Sequence, residues 1–354
     1  MRYSVSNYDL LFPMDVDATA IHLAVMNRQQ LIQKKTLPYD PNNLFNYVRK
    51  HFPGQKGLFL YEAGPTGYGL YDSLKEKGED CAIAVPSMIP KAPGQRVKTN
   101  RLDAYRLGVQ ARTDDLRFVE VPEKKYRDLR HLTRLRLHYS KRIVGTKNGL
   151  RGLYLFEGIR FPEGKWSRRL ISDLRQIESR PTVEFKVKQL LLNLEFFRTQ
   201  ELKTKVEIRR FCREDKEIND CILYLMSLPG VGWIVSTYIL GALGGYNHLT
   251  SVKNTSGFLG LGPRENSTGP RVRKGEITAV GDPNARKMII QASWVGINKD
   301  GELRSHFDNV YSRHSEKIAN QKAIVAVGRK MICRMHAVLR DQRFFENRLI
   351  TKVA

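Results

Sequence analysis

Acidic residues are scarce in this chain relative to basic ones. Asp and Glu number 36 against 60 Lys and Arg, a formal charge of +24 over 354 residues. Such an excess calls for a polyanion, and nucleic acid is the default partner, although a ribosome-like or merely soluble basic protein carries similar charge. Cysteine is also sparse. The four present, Cys81, Cys212, Cys221 and Cys333, include no Cys-x-x-Cys pair. That spacing argues against a zinc site or a redox motif and suits a reducing cytoplasm. No run approaches the roughly 18 apolar residues of a membrane span. The opening MRYSVSNYDL has no apolar signal core, so a cytoplasmic protein, with no membrane partner, is expected. Repeats and low-complexity tracts are missing as well. What remains is a globular balance, 41% hydrophobic and 27% charged, in a chain long enough for two or three domains.

Residues 1–121 read as an α/β domain. Leu10-Leu11-Phe12-Pro13-Met14-Asp15 predicts a strand ending at an acid, and Ala20 to Met26 its hairpin partner. Gly57 to Glu62 is a second apolar run ending at an acid. A Gly/Pro turn, a helix near Tyr68 to Lys77 and a strand Ala82 to Val85 follow. This alternation predicts a parallel or mixed sheet covered by helices. Residues 122–226 change character. Tyr126, Leu129 and Leu132 are three apart among many basic residues, and Val187, Leu190, Leu191, Leu194 and Phe197 form a helical stripe. Two long helices are expected, joined by an irregular stretch containing Gly158, Pro162, Gly164 and Pro181, which suggests a coiled-coil linker. Residues 227–354 open on Leu228-Pro229-Gly230-Val231-Gly232 and an apolar run to Leu243. That pattern predicts a helix-hairpin-helix in a mostly α domain, with the amides of Gly230 and Gly232 able to hold a phosphate.

Three acids stand out by placement. Asp15 and Glu62 end strands, and Asp103 opens a helix in Lys98-Thr99-Asn100-Arg101-Leu102-Asp103-Ala104. Carboxylates at the ends of neighbouring strands point to one edge, where they can chelate Mg²⁺. Any one of them alone is more simply a helix cap or a solvated acid. Asp17 lies near Asp15 but further along the same face.

The stretch from Phe258 to Trp294 is the most distinctive. Gly260-Leu261-Gly262-Pro263-Arg264-Glu265-Asn266-Ser267-Thr268-Gly269 is followed by basic residues and by Gly281-Asp282-Pro283-Asn284-Ala285-Arg286. Ser267 sits between glycine turns, with Arg264, Arg271, Arg273, Lys274 and Arg286 around it. Those cations could stabilise charge on phosphate oxygens. No histidine lies close in sequence to activate the serine, so chemistry alone favours a phosphate-binding turn.

Strand-Asp, then Tyr-Glu-Ala-x-Pro-Thr-Gly, then Lys-Thr-x-Arg-x-Asp-Ala resembles the RuvC-like DEDD domain of insertion-sequence transposases of family 110/1111, shared by Piv-type DNA invertases. The blocks Leu-Pro-Gly-Val-Gly, Gly-Leu-Gly-Pro-Arg-Glu-x-Ser-x-Gly and Gly-x-Pro-x-x-Arg are similar to that family's C-terminal domain, in the same order. The resemblance covers nearly the whole chain and implies a RuvC/RNase H-like first domain. Asp15, Glu62 and Asp103 match the first, second and fourth acids, and Asn100 stands at the third, an uncharged Mg²⁺ ligand. Ser267 falls at the catalytic serine, with Thr268 its neighbour, and Pro270 replaces a usual glycine.

The resemblance further implies a Mg²⁺-dependent recombinase that cuts and rejoins DNA through a phosphoserine link. In that family the two domains meet across subunits. The implied partners are DNA at element ends, junction and target, a structured noncoding bridge RNA that supplies specificity by base pairing, and other copies of the chain in a dimer of dimers. The implied setting is the prokaryotic nucleoid. The arginine-rich helix from Lys124 to Arg151 is a candidate for RNA or dimer contacts. Two rivals stay open: a RuvC-like structure-specific nuclease that does not need Ser267, and an inactive nucleic-acid-binding relative, favoured by Asn100.

Overall fold

The computed structural model describes residues 3, 5–86, 100–113, 116–246, 251–265, 274–278 and 280–346, with backbone alone for 100–102, 265, 274 and 275. Packing divides the chain into two compact units, Met1–Val121 and Pro122–Ala354.

The first unit begins with a short 3₁₀ turn, Val5–Asn7. Strands β1 (Leu10–Val16), β2 (Ala20–Met26) and β3 (Leu31–Pro38) lead to helix α1 (Pro41–His51). Then follow β4 (Gly57–Glu62), α2 (Gly69–Glu76), β5 (Asp80–Ala84) and α3 (Asn100–Arg112). The sheet order is β3-β2-β1-β4-β5. β1 and β2 pair antiparallel, as do β2 and β3, whereas β1 with β4 and β4 with β5 are parallel. This is the mixed sheet expected from the alternation of strands and helices. Phe12, Met14, Phe59 and Tyr61 bury one face with Leu44, Val48, Leu70 and Leu74 of α1 and α2. Leu11, Leu58, Leu60, Ala82 and Ala84 bury the other with Leu107 and Ala111 of α3. Cover on both faces is why β1 and β4 read as unbroken apolar runs rather than alternating ones.

Strand β3 and helix α1 go beyond the expected elements. β3 is an edge strand, LIQKKTLP, mostly exposed; its lysines discourage edge-to-edge pairing and also erase the alternation that would have marked it. α1 starts on Asp40, whose carboxylate accepts from Asn42 N–H at 2.8 Å, with Pro41 at the first helical position.

The second unit is mostly helical. It runs α4 (Lys124–Phe156), α5 (Arg168–Arg175), α6 (Pro181–Glu214), α7 (Lys216–Met226), α8 (Trp233–Leu243) and α9 (Val252–Phe258). A small hairpin of β6 (Pro263–Glu265) and β7 (Lys274–Ile277) precedes α10 (Pro283–Gly296), α11 (Gly301–Tyr311) and α12 (Glu316–Arg340). Helices α4 and α6, each about 50 Å long, pack along one another. Val187, Leu191 and Leu194 of the predicted stripe are buried. The connection expected to be irregular holds α5, because Ser167 Oγ caps Leu170 N–H at 3.3 Å and Leu170, Ile171 and Leu174 bury against Leu150, Leu153 and Val187.

The large core of this unit joins Tyr126 and Leu129 of α4 to Leu240, Ile289, Met331 and Met335. Residues on both sides of position 227 therefore share one core. Arg130 of α4 donates to the Gly241 carbonyl at 2.8 Å and the Ala242 carbonyl at 3.3 Å, capping the C-terminal end of α8. Among the described residues, no helix is long and apolar enough to cross a membrane.

Candidate functional site

The parallel register of β1 and β4 runs from Leu10 opposite Gly57 to Met14 opposite Tyr61. The next pair in that register is Asp15 and Glu62. Leu11 precedes Asp15 by four residues, and Leu58 and Leu60 precede Glu62 by four and two. All three belong to the α3-side core. Alternation therefore puts both carboxylates on the α3 face, at the C-terminal ends of their strands.

Helix α3 runs back along that face. Arg112 near its end donates to the Gln29 carbonyl at 3.0 Å, just past β2. Gly108 is pressed on Pro13 and Met26, where a Cβ would lie 2.6 Å from Pro13 Cγ. Asp103 precedes Gly108 by five residues, about 7.5 Å along the helix. Asp15 lies about 6.6 Å beyond Pro13 along β1, so Asp103 stands at the level of Asp15. It accepts from Arg106 at 3.3 Å.

Asn100 opens α3, and its side chain lies outside the described residues. The acids offer hard oxygen donors at one end of a sheet in a chain of charge +24, which suits a Mg²⁺-type cation. Among the described residues no three His, Cys, Asp or Glu side chains close around one point. The acids share an end and a face without completing a coordination shell.

Asp17 has a different task. Its carboxylate accepts from Thr19 N–H at 2.7 Å, Ala20 N–H at 2.7 Å and Thr19 O–H at 2.9 Å. Those bonds, the Thr19 amide first, hold it below the usual carboxylate range. It builds the β1–β2 turn. His22 was missed from sequence. It pairs with Asp15 across the ladder and shares the face of Met26, which lies in the α3-side core. Its Nδ1 is 3.1 Å from Thr36 Oγ1 and its Nε2 3.6 Å from Asp17. The alternation of β2 was the available signal.

In the second unit, β6 and β7 pair from Pro263 with Ile277 to Glu265 with Lys274. Ser267, Thr268, Pro270, Arg271 and Arg273 belong to the connecting stretch and lie outside the described residues. Lys274 starts β7 and is described by its backbone alone, and Arg264 of β6 is exposed.

The neck of this hairpin is held from several sides. Thr278 N–H donates to the Gly262 carbonyl at 2.9 Å, and Arg329 of α12 donates to the Leu261 carbonyl at 2.9 Å. Arg286 donates to the Thr278 carbonyl at 3.3 Å, and its guanidinium would touch a Cβ on Gly260 at 3.5 Å. One edge of Arg286 is thus spent on the main chain. Arg329 had no local signal, since 68 residues separate it from its partner.

Gly230, expected to offer amides to a phosphate, has φ +86° and packs on the backbone of α10. Gly232, exposed, caps the start of α8 with no side-chain partner.

Asp282 is another residue whose role was not foreseen, although Asp-Pro is a helix-start signal. Its carboxylate accepts from Asn284 N–H at 2.8 Å and Ala285 N–H at 3.2 Å, capping α10, and from Tyr238 O–H at 3.0 Å. Burial and then the Asp282 charge push the Tyr238 hydroxyl up to about 12, so it stays a donor. Asp282→Ala removes the cap and the acceptor of the buried Tyr238 hydroxyl. A loss of about 2 kcal/mol is expected, read as a lowered denaturation midpoint. A change under a few tenths would contradict the capping role.

Comparison with known proteins bears on both units. Residues 13–156 match the DEDD transposase family of IS110 type, and residues 223–308 match the family described as "Transposase IS116/IS110/IS902 family". The chain is 30% identical over 237 residues to "Putative transposase y4qE" of Sinorhizobium fredii, covering 67% of this chain and 57% of that protein. It is 24% identical over 200 residues to the "Transposase for insertion sequence element IS1111A" of Coxiella burnetii, 55% and 54% of the two chains. A third match, 29% over 97 residues, is to the "Transposase for insertion sequence element IS1533" of Leptospira borgpetersenii, 27% and 28%. The chain spans little more than half the length of the relatives it matches, or less. With both halves matched in order and a mixed-sheet first unit that carries the acids, this chain belongs to the IS110 family of transposases.

Proposed function

We propose that this protein is a transposase that cuts and rejoins DNA strands by metal-assisted attack of a serine. The observation that carries the reading is the parallel register of β1 with β4, which runs to Met14 opposite Tyr61 and whose next step brings Asp15 beside Glu62, in a chain of this family. Asp15, Glu62 and Asp103, with the Asn100 amide, would hold Mg²⁺. When bound, the cation polarises phosphate oxygens and neutralises their charge.

The chain's own residues do the rest. Ser267 Oγ bonds to a phosphorus as the bond to a deoxyribose oxygen breaks, leaving a phosphoserine ester and a free strand end. Attack by a free strand hydroxyl on that ester reseals the backbone and returns the serine. The ester keeps the bond energy, so no ATP is consumed. Arg264, Arg271, Arg273, Lys274 and Arg286 would offset charge on the phosphate oxygens.

In this reading residues 1–121 form the metal-binding domain and 122–226 a coiled-coil linker. Residues 227–354 form the serine domain, and its opening glycine turn with α8 would pair with α7, the last helix of the linker, as a helix-hairpin-helix on DNA. A bridge RNA supplies target choice, and the working form is a dimer of dimers.

The test combines purified protein, Mg²⁺, RNA transcribed from the DNA flanking its gene, and a nicked junction oligonucleotide that traps intermediates. A protein–DNA adduct surviving a denaturing gel, absent with chelator or in Asp15→Asn, is the expected result. Cleavage without adduct would replace this reading by a plain metal nuclease. No cleavage would leave a nucleic-acid-binding relative.

A further inference from the structure

The long hairpin of α4 and α6 carries a group of cations that the proposed chemistry does not use. Lys147 and Arg151 lie one turn apart on α4, Arg198 lies on α6, and Trp166 lies in the segment before α5. Lys147 Nζ stands 5.4 Å from the centre of the Trp166 ring, and the Arg151 guanidinium 5.7 Å from it. Arg151 is also 5.8 Å from the Phe161 ring. Arg198 donates to the Trp166 carbonyl at 3.0 Å. Three positive side chains therefore gather about one residue, steadied by an aromatic face and a main-chain oxygen rather than by a carboxylate.

Three other cations of the hairpin are paired with acids instead. Arg175 pairs with Glu195 at 2.6 Å, Arg180 with Glu157 at 2.5 Å and Arg160 with Glu163 at 2.8 Å. Glu201 is the acid that acts on Lys147, and it is already engaged by Lys205 at 3.0 Å and Arg136 at 3.9 Å. Burial first, then the charges of Arg198 and Arg151, hold the Lys147 ammonium below its ordinary range. Like charges held this close work against folding, and a bound polyanion reverses that sign.

We propose that Lys147, Arg151 and Arg198, gathered around Trp166, form a binding site for the phosphate backbone of a nucleic acid. The two guanidinium forks suit phosphate oxygens, and the Lys147 ammonium acts as a point charge. The site reads backbone and not bases, since the Trp166 ring is occupied by its own cations. It rests on the reading of this chain as one that acts on nucleic acid, and it adds a contact surface distant in sequence from both the acids and the serine stretch.

The experiment measures binding of the full chain to two labelled probes of unrelated sequence, a short RNA hairpin and a short DNA duplex, over a range of salt. The triple variant Lys147→Gln, Arg151→Gln, Arg198→Gln is expected to bind about tenfold or more weakly near physiological salt. Its slope of log K against log salt should fall by about two to three units, because roughly one released counterion is lost per phosphate contact. The probe whose slope falls identifies the backbone, RNA or DNA, that the site holds. The triple variant Arg160→Gln, Arg175→Gln, Arg180→Gln removes the same formal charge from cations that are already paired, and it should leave the slope nearly unchanged. Lys147→Gln alone guards against misfolding: it should weaken binding while the melting temperature holds or rises, because like-charge repulsion is relieved. Equal loss in the paired-cation control, or an unchanged slope in the cluster variant with both probes, would overturn the site. A cluster variant that binds as wild type refutes the site alone, whereas a wild-type chain that binds neither probe refutes the site and the functional reading together.

Discussion

Ser267→Ala is expected to abolish the covalent protein–DNA adduct and to lower strand rejoining by on the order of 10³-fold or more. The hydroxyl oxygen is the atom that would become the phosphate ester, and alanine has no atom to replace it. Water can still attack a phosphate in the variant, so hydrolytic nicking is expected to persist at a low level. This separates the serine from the acids, because Asp15→Asn should remove cleavage and adduct together. Thr268→Ala is the internal control and should retain the adduct. An adduct that survives Ser267→Ala but disappears in Thr268→Ala would move the nucleophile by one residue. Survival in both would refute serine chemistry in this stretch.

Gly230→Ala is expected to cost roughly 3 to 5 kcal/mol, the sum of a left-handed backbone penalty and a clash that cannot relax. At φ +86° a side chain is strained in any surroundings. Here the added Cβ would overlap the Ala292 carbonyl oxygen and lie 2.6 Å from Gly296 N and 2.9 Å from Gly296 Cα. All three are backbone atoms of α10, so no rotamer change makes room. Gly296 answers from the other side, where a Cβ would lie 3.0 Å from the Pro229 carbonyl. Trp166, Trp233 and Trp294 are the chain's three tryptophans and all belong to the second unit, so denaturant unfolding followed by tryptophan fluorescence reports on it directly. Gly232→Ala, two residues on, has open space around it and an ordinary φ of −101°. It should be nearly neutral to stability. Equal losses in the two variants would mean that close packing on α10 is not what selects glycine at position 230.

Much of what positions the acids was determined by local sequence. An apolar run ending at Asp15, another ending at Glu62 and a helix opening near Asp103 are short-range patterns set by burial and by backbone preference. They could be read residue by residue. So could the long helices, from the period of Val187, Leu191 and Leu194. The family motifs added Ser267, which no alternation or charge count would have singled out as a nucleophile.

Tertiary structure decided which of these pieces meet. Nothing within four residues of Asp15 says that β1 lies beside β4, and that pairing is what sets Asp15 next to Glu62. The lysine-rich edge strand β3 was hidden because an edge has one paired side and no need of an apolar alternation. Sequence counted Arg286 among cations ready for phosphate, whereas the fold turns one of its edges onto the Thr278 carbonyl. Asp17, two residues from Asp15, is claimed by its own turn. The physical reason is one of range. Propensity, capping and periodicity act over a turn or a few residues, while the partner of a strand, the neighbour of a glycine and the carbonyl that receives an arginine are chosen by chain segments tens of residues away.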